Sequence, residues 1–410
     1  MRLNDYRFSE EEDRRQWLNS IKMKVGLKYF GGKSVIGRYL FNNIFNMAVQ
    51  MKKDKRPADI LIDAFTGGGK IGLSVPSGWF DTIVINDLDL GVYSYYTCCK
   101  ENHIALIKMI DEIGKKYMNR DLFHVYAFLR GDNNVELDPL ARAAMTFWVT
   151  QGAFNGIAAA KKCTYNLTRV KENNSDDKSL EKENIAKAIN TAHKRIPMLH
   201  NQLNNGHFII ENMDYRDLIK KYNGMPYLDK DGEHKGIEDV RRSNKLYYFD
   251  PPYHPAALYG AEEAPYEDTF TYDMAAEMVN ILHGNYIKDY GSIDYFIKSD
   301  YDVVRPVQEA WKDAGIRNGN KSVIYNRIKG KNDDELKPYE KIIFHDGLNN
   351  SVGNVFKPLE KYPFCKICIG SFDKGVINES GNKRIGEEYI WCKGFPKGYE
   401  RMKGTPAKED

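Results

Sequence analysis

Asp250-Pro251-Pro252-Tyr253 gathers a carboxylate, two prolines and an aromatic ring into one short turn. It follows Leu246-Tyr247-Tyr248-Phe249, an apolar and aromatic run that predicts the end of a buried strand. Proline donates no backbone hydrogen bond and ends a ladder. Two in succession leave a stiff turn with free carbonyls, held between an acceptor and a ring face. That combination suits a planar, amino-bearing group.

A reagent site is written earlier in the chain. Asp59-Ile60-Leu61-Ile62-Asp63-Ala64-Phe65 predicts a buried strand, and Thr66-Gly67-Gly68-Gly69 a turn leading into a helix through Ser74. Three glycines let the backbone approach a ligand where a Cβ would obstruct it. A second strand, Thr82-Ile83-Val84-Ile85, ends at Asn86-Asp87, and Asp87 lies 18 positions beyond Gly69. An acid at about that distance is placed to hold ribose hydroxyls, so an adenosine-containing ligand is expected.

Two look-alikes fall away. Gly32-Lys33-Ser34 resembles the end of a phosphate-binding loop, but Leu27 stands where that motif needs glycine. Gly69-Lys70 is followed by Ile71, which cannot hold magnesium as Ser or Thr would. Nucleotide hydrolysis is therefore disfavoured.

The elements that must position these groups alternate. A helix is predicted from Ile36 to Met51, and helical periodicity dominates residues 91–200, interrupted by the charged insert Lys171–Lys187. Phe208-Ile209-Ile210 predicts a third strand, ending near Asp214. Further on, a helix is expected over Met274–His283, a strand over Ile293–Ile297 and a last strand around Tyr389-Ile390-Trp391. Strands alternating with helices, with polar residues at several strand ends, imply an α/β sheet with ligands along one edge.

Composition sets the outer bounds. The 410 residues suffice for one large or two ordinary domains, and the net charge of +3 is no polycation. Any nucleic-acid surface must come from local clustering. No apolar run approaches a membrane span, and Met1–Arg15 is not a secretory signal. Six cysteines make no disulfide framework, so a reducing, cytoplasmic setting is expected. Cys365 and Cys368 form one CxxC pair with Cys392 after it, short of four zinc ligands, and no metal is expected.

Taken in order, Lys28-Tyr29-Phe30-Gly31-Gly32-Lys33, Phe65-Thr66-Gly67-Gly68-Gly69, Asn86-Asp87 and Asp250-Pro251-Pro252-Tyr253 resemble the motifs of Dam-like (class alpha) adenine-N6 DNA methyltransferases. Phe154-Asn155-Gly156 is similar to that family's segment in its DNA-recognition region, with Tyr165-Asn166 after it. The resemblance runs from about Leu27 to Phe395. It implies a Rossmann-like, S-adenosylmethionine-dependent methyltransferase sheet with an inserted, mainly helical DNA-recognition domain. Residues 25–97 would form the cofactor part of the catalytic domain, 98–205 the recognition domain, and 206–400 the remainder with the catalytic turn. Tyr29, Gly32 and Lys33 would meet the methionine end of the cofactor. Phe65, Gly67, Gly68 and Gly69 would form the cofactor loop, Asp87 would hold the ribose, and Asp214 would lie near the adenine. The chain departs from the family at Asp63-Ala64-Phe65, and at Ile157-Ala158-Ala159-Ala160, where an arginine is usual.

The implied reaction moves a methyl group from S-adenosylmethionine to an adenine flipped out of double-stranded DNA. Asp250 and the Pro251 carbonyl would accept the two amino hydrogens and aim the nitrogen lone pair, with Pro252 stiffening the turn and Tyr253 stacking on the base. Phe154, Asn155, Gly156, Lys161, Lys162 and Arg169 are the expected DNA contacts, with Arg120, Arg130, Arg142 and Lys171 as further phosphate holders. Beside DNA, a cognate restriction endonuclease is the kind of partner the resemblance implies. RNA, cytosine-N4 or a protein amide as acceptor stays open, as does a catalytically silent DNA-binding module. Asp at position 250, rather than Asn, favours a nucleobase over an amide.

Overall fold

A computed structural model describes residues 26–29, 37–53, 59–76, 78–131, 135–153, 164–167, 177–222, 227–228, 234–235, 244–251, 340–346, 364–377 and 383–393. The helix expected over 274–283 and the strand over 293–297 lie outside them. The chain divides into two compact units. The first draws its described residues from Met1–Asn42 and Phe65–Asn212, and the second from Asn43–Ala64, Met213–Ala257 and Phe270–Asp410.

In chain order the main elements are α1 (Gly37–Lys53), β1 (Ile60–Asp63), β2 (Thr82–Asn86), α2 (Leu90–Glu101), α3 (His103–Lys116), α4 (Arg120–Gly131), α5 (Pro139–Gly152), α6 (Asp177–Asn205), β3 (Phe208–Glu211) and α7 (Tyr215–Tyr222). There follow a short hairpin, β4 (Tyr227–Leu228) and β5 (His234–Lys235), then β6 (Lys245–Phe249), β7 (Glu340–Asp346), β8 (Phe364–Ile377) and β9 (Lys383–Lys393).

The first unit pairs β2 with β3 in parallel, Ile83 facing Phe208 and Asn86 facing Glu211. Helices α2–α6 fill the chain between those strands. Helix α2 packs on α5 and α6, and α3 packs on α6. Gly114 of α3 admits the Trp148 ring of α5, since a Cβ there would lie 2.5 Å from it. Each start follows from local chemistry. Asp89 caps α2 through Gly91 and Val92 amides, and Asp138 caps α5 ahead of Pro139.

In the second unit β1 runs parallel to β6, with Ile60 facing Lys245 and Asp63 facing Tyr248, and β6 runs parallel to β7. Strands β9 and β8 continue from β7 in antiparallel fashion. Every residue of β1 and β6 is buried. Continuous rather than alternating burial is the mark of strands covered on both faces. The strand starts are clasped, as Ile60 N–H donates to Asn244 O (3.1 Å) and Asn244 N–H to the Asp59 carboxylate (2.7 Å). The protein is thus α/β, a Rossmann-like arrangement of parallel strands with a helical insertion, as its sequence implies.

One local expectation is corrected. No regular helix follows the glycine turn. Leu73 N–H reaches Gly69 O (3.0 Å) and Val75 N–H reaches Ile71 O (3.3 Å), closing a single turn before Pro76. Glycines at 67–69 and 72 penalise helix, and Pro76 fits no continuation.

Candidate active site

The glycine turn follows β1 in the chain and is held from several sides. Gly67 and Gly69 adopt positive φ, +48° and +71°, a region that L side chains avoid. Tyr29 packs its ring on the turn, and a Cβ at Gly67 would sit 3.1 Å from that ring. Leu27 lies as close to Gly68, where a Cβ would meet its carbonyl oxygen at 3.0 Å. Gly26 N–H donates to Gly68 O (3.1 Å), Tyr96 of α2 donates its hydroxyl to Gly67 O (3.1 Å), and Thr66 N–H donates to Asn86 O (2.8 Å). Residues 26–29, the turn and the end of β2 therefore form one cradle with no room for side chains at its centre.

Asp87 stands at the carboxyl end of β2, directed at this cradle. Its carboxylate accepts the Gly67 amide (2.6 Å) through one oxygen and the Asp89 amide (2.9 Å) through the other. Asn212 donates to its carbonyl oxygen (2.8 Å), fixing the strand end from the β3 side. Burial first, and then the neighbouring Asp89 charge, push the Asp87 carboxyl up to about 7. The Asp89 and Gly67 amides and the Arg130 charge oppose that shift without cancelling it. Each carboxylate oxygen keeps a second lone pair, so the acid can still receive ligand hydroxyls.

Asp89 was not singled out by the sequence reasoning. It caps α2, accepts the Tyr29 hydroxyl (3.4 Å) and pairs with the Arg130 guanidinium. Burial raises its carboxyl, but the Arg130 charge and hydrogen bonds from Arg130, Val92 and Gly91 outweigh burial and hold it low. An Asp just before the helical run Leu90–Glu101 is a legible capping signal. Its arginine partner, 41 positions away, is not.

Arg130 and Arg142 are corrected as phosphate holders. Both are buried. Arg142 donates to Arg130 O (2.8 Å) and Val135 O (2.7 Å), so its charge is turned inward. Arg120 is exposed at the start of α4. Residues 154–156, 161–162 and 169, with the expected DNA contacts Phe154, Asn155, Gly156, Lys161, Lys162 and Arg169, lie outside the described residues, and so does Lys171. The chain on either side of 154–163 is joined. Ala153 bridges to Tyr165, Asn166 N–H donates to Gly152 O (2.8 Å), and Tyr165 is anchored to Glu181 of α6.

In the second unit, Asp214 caps α7 through Arg216 N–H (2.9 Å) and is gripped by the Arg216 side chain at 2.6 and 2.8 Å. Asp250 follows β6, partly buried, and Pro251 is buried. Within β6, Tyr247 and Phe249 stack on each other, 5.6 Å between centroids, on one face of the strand. Gly32, Lys33, Pro252 and Tyr253 lie outside the described residues. Of the expected site residues, the structure brings Tyr29, Gly67, Gly68, Gly69 and Asp87 together, with Phe65 at the entry to the turn.

Among the described residues no cluster of His, Cys, Asp and Glu could hold a metal ion, and no helix is long and apolar enough to cross a membrane. Among curated proteins no match to the chain is found. Residues 29–229 match the model of the D12 class N6 adenine-specific DNA methyltransferases, and Asp250 lies beyond the matched stretch. Over those residues, which hold Tyr29, the glycine turn, Asp87 and Asp214, the chain is similar to the D12 class N6 adenine-specific DNA methyltransferases.

Proposed function

We propose that this protein methylates adenine N6 at a specific sequence in double-stranded DNA, on a base turned out of the duplex, with S-adenosylmethionine as donor. The observation that carries the reading is the cradle itself. A side-chain-free glycine turn faces an acid at a parallel strand's carboxyl end, the arrangement in which α/β sheets hold adenosine groups. The residues present fit such a cofactor. Asp87 would accept the ribose hydroxyls, Gly67–Gly69 would let it approach the backbone, and Tyr29, Gly32 and Lys33 would hold its methionine end. Asp214 would use its remaining lone pairs on the adenine edge. The cofactor supplies an electrophilic methyl group on a sulfonium centre.

The chain's own residues prepare the acceptor. An adenine amino group is a weak nucleophile because its lone pair is conjugated into the ring. Asp250 and the Pro251 carbonyl accept its two hydrogens, which favours a tetrahedral nitrogen and points the lone pair outward. Two prolines make the turn stiff, so the acceptors are oriented before the base arrives. Tyr253 stacks on the base, a contact worth on the order of 1–3 kcal/mol.

The deciding experiment offers tritiated S-adenosylmethionine with DNA, RNA or protein, then maps modified bases on single DNA molecules. N6-methyladenine in one recurring sequence is the expected result. Label in RNA, in protein or on cytosine overturns the adenine reading. DNA binding without cofactor affinity identifies a silent module instead.

A further inference from the structure

We propose that Asp89 and Arg130 are positioning residues for the cofactor cradle, through which helix α4 of the helical insertion holds Tyr29 and Asp87 in place. The proposal rests on the cofactor reading above.

The contacts form an unbroken path. Arg130, at the end of α4, pairs with the outer carboxylate oxygen of Asp89. That same oxygen accepts the Tyr29 hydroxyl (3.4 Å), and Tyr29 lies against Gly67. The Asp89 amide donates to Asp87 (2.9 Å), whose other oxygen holds the Gly67 amide (2.6 Å). Arg130 thus reaches the glycine turn by two routes, one through a ring and one through a carboxylate.

Packing alone does not account for the pair. Arg130 is buried at the amino-terminal end of α2, where the helix dipole opposes a cation. A buried arginine is tolerated only when paired, and an apolar residue of similar volume would often serve stability as well. The surroundings are nevertheless shaped for it. A Cβ at Gly91 would lie 2.9 Å from the Arg130 guanidinium nitrogen and 2.4 Å from the Thr146 hydroxyl. Arg142 fixes the Arg130 carbonyl from α5 (2.8 Å). Beside the Gly91 and Val92 amides that cap α2, the Asp89 carboxylate receives the Arg130 guanidinium and the Tyr29 hydroxyl.

Electrostatics give the pair a signature. Among the described residues, the ionisable groups acting on Asp87 are Asp89, which raises it, and Arg130, which lowers it. Removing one or the other moves the Asp87 titration in opposite directions.

The test is calorimetric binding of S-adenosylmethionine to the full chain across pH, beside thermal melting. Arg130→Met should bind about tenfold more weakly, with the pH midpoint of binding moved upward. Arg130→Lys should restore the midpoint. Asp89→Asn should also weaken binding but move the midpoint downward. Tyr29→Phe, which keeps the ring and loses the anchor, should weaken binding with the midpoint unmoved. An Arg130→Met protein that melts earlier yet binds with wild-type affinity and midpoint has lost only a structural pair, and the proposal fails. If Arg130→Met does not fold, wild-type binding by both Asp89→Asn and Tyr29→Phe overturns it equally. Wild-type protein that binds no S-adenosylmethionine overturns the cofactor reading and this proposal together. Cofactor binding with unmoved variants overturns this proposal alone.

Discussion

The Lys28 ammonium donates to the carbonyl oxygens of Ala153, at 3.0 Å, and Gln151, at 3.3 Å. It thereby fastens the segment that lines the glycine cradle to the last turn of α5, directly before Phe154-Asn155-Gly156. Burial lowers the Lys28 pKa from its ordinary value. The two carbonyls and the negative end of the helix dipole are what keep a cation acceptable there.

Replacing Lys28 by Met should leave those carbonyls without their donor. The expected loss is about 1–2 kcal/mol of stability, read as a lower urea midpoint with an unchanged slope. An unmoved midpoint would show that water replaces the ammonium without penalty.

Asp250→Ala should remove transfer while sparing cofactor binding. We expect kcat to fall by at least about 100-fold, the scale seen when one preorganised polar group at a reacting centre is deleted. Cofactor affinity by calorimetry should change only a few-fold. Wild-type turnover in this variant would exclude the acceptor role.

Cofactor binding should depend on pH through Asp87. With its carboxyl raised to about 7, ionised Asp87 appears only as pH rises through neutrality. Affinity for S-adenosylmethionine should therefore climb from pH 6 to pH 8 and then level, and Asp87→Asn should bind weakly with no such climb. Stability of the free protein should run the opposite way. The unfolded chain gives up this proton near the ordinary carboxylate value, so stability declines as pH rises from about 4 to about 7. Melting temperatures across that range check the sign, and Asp87→Asn should flatten the slope.

Gly69→Ala should destabilise the turn. Its φ of +71° is disfavoured for alanine, and the new Cβ would lie 2.5 Å from both the Leu73 side chain and the Tyr96 hydroxyl. The backbone conformation alone costs about 1–2 kcal/mol, and Tyr96 must also shift. A denaturation midpoint equal to wild type would show that the turn relaxes to another conformation.

Much of this protein was decided locally by its sequence. The apolar runs at 60–63, 82–86 and 245–249 are strands, and the glycine turn and Asp87 stand at strand ends, because both depend on neighbours in the chain. The same holds for the helical stretch between β2 and β3. Local reading overshot at residues 70–74, where the order of strand and glycine turn suggested a following helix but glycine entropy and Pro76 allow only one turn. Only tertiary packing decided what the charged residues do. Arg130 and Arg142 carry the same charge as exposed Arg120, and a sequence does not say which will face inward. The paired charges arise from residues brought together across 41 positions or more, as Lys28 meets Ala153 and Arg130 meets Asp89. Desolvation and Coulomb energy depend on distance in space, and the chain specifies that distance only once it is folded.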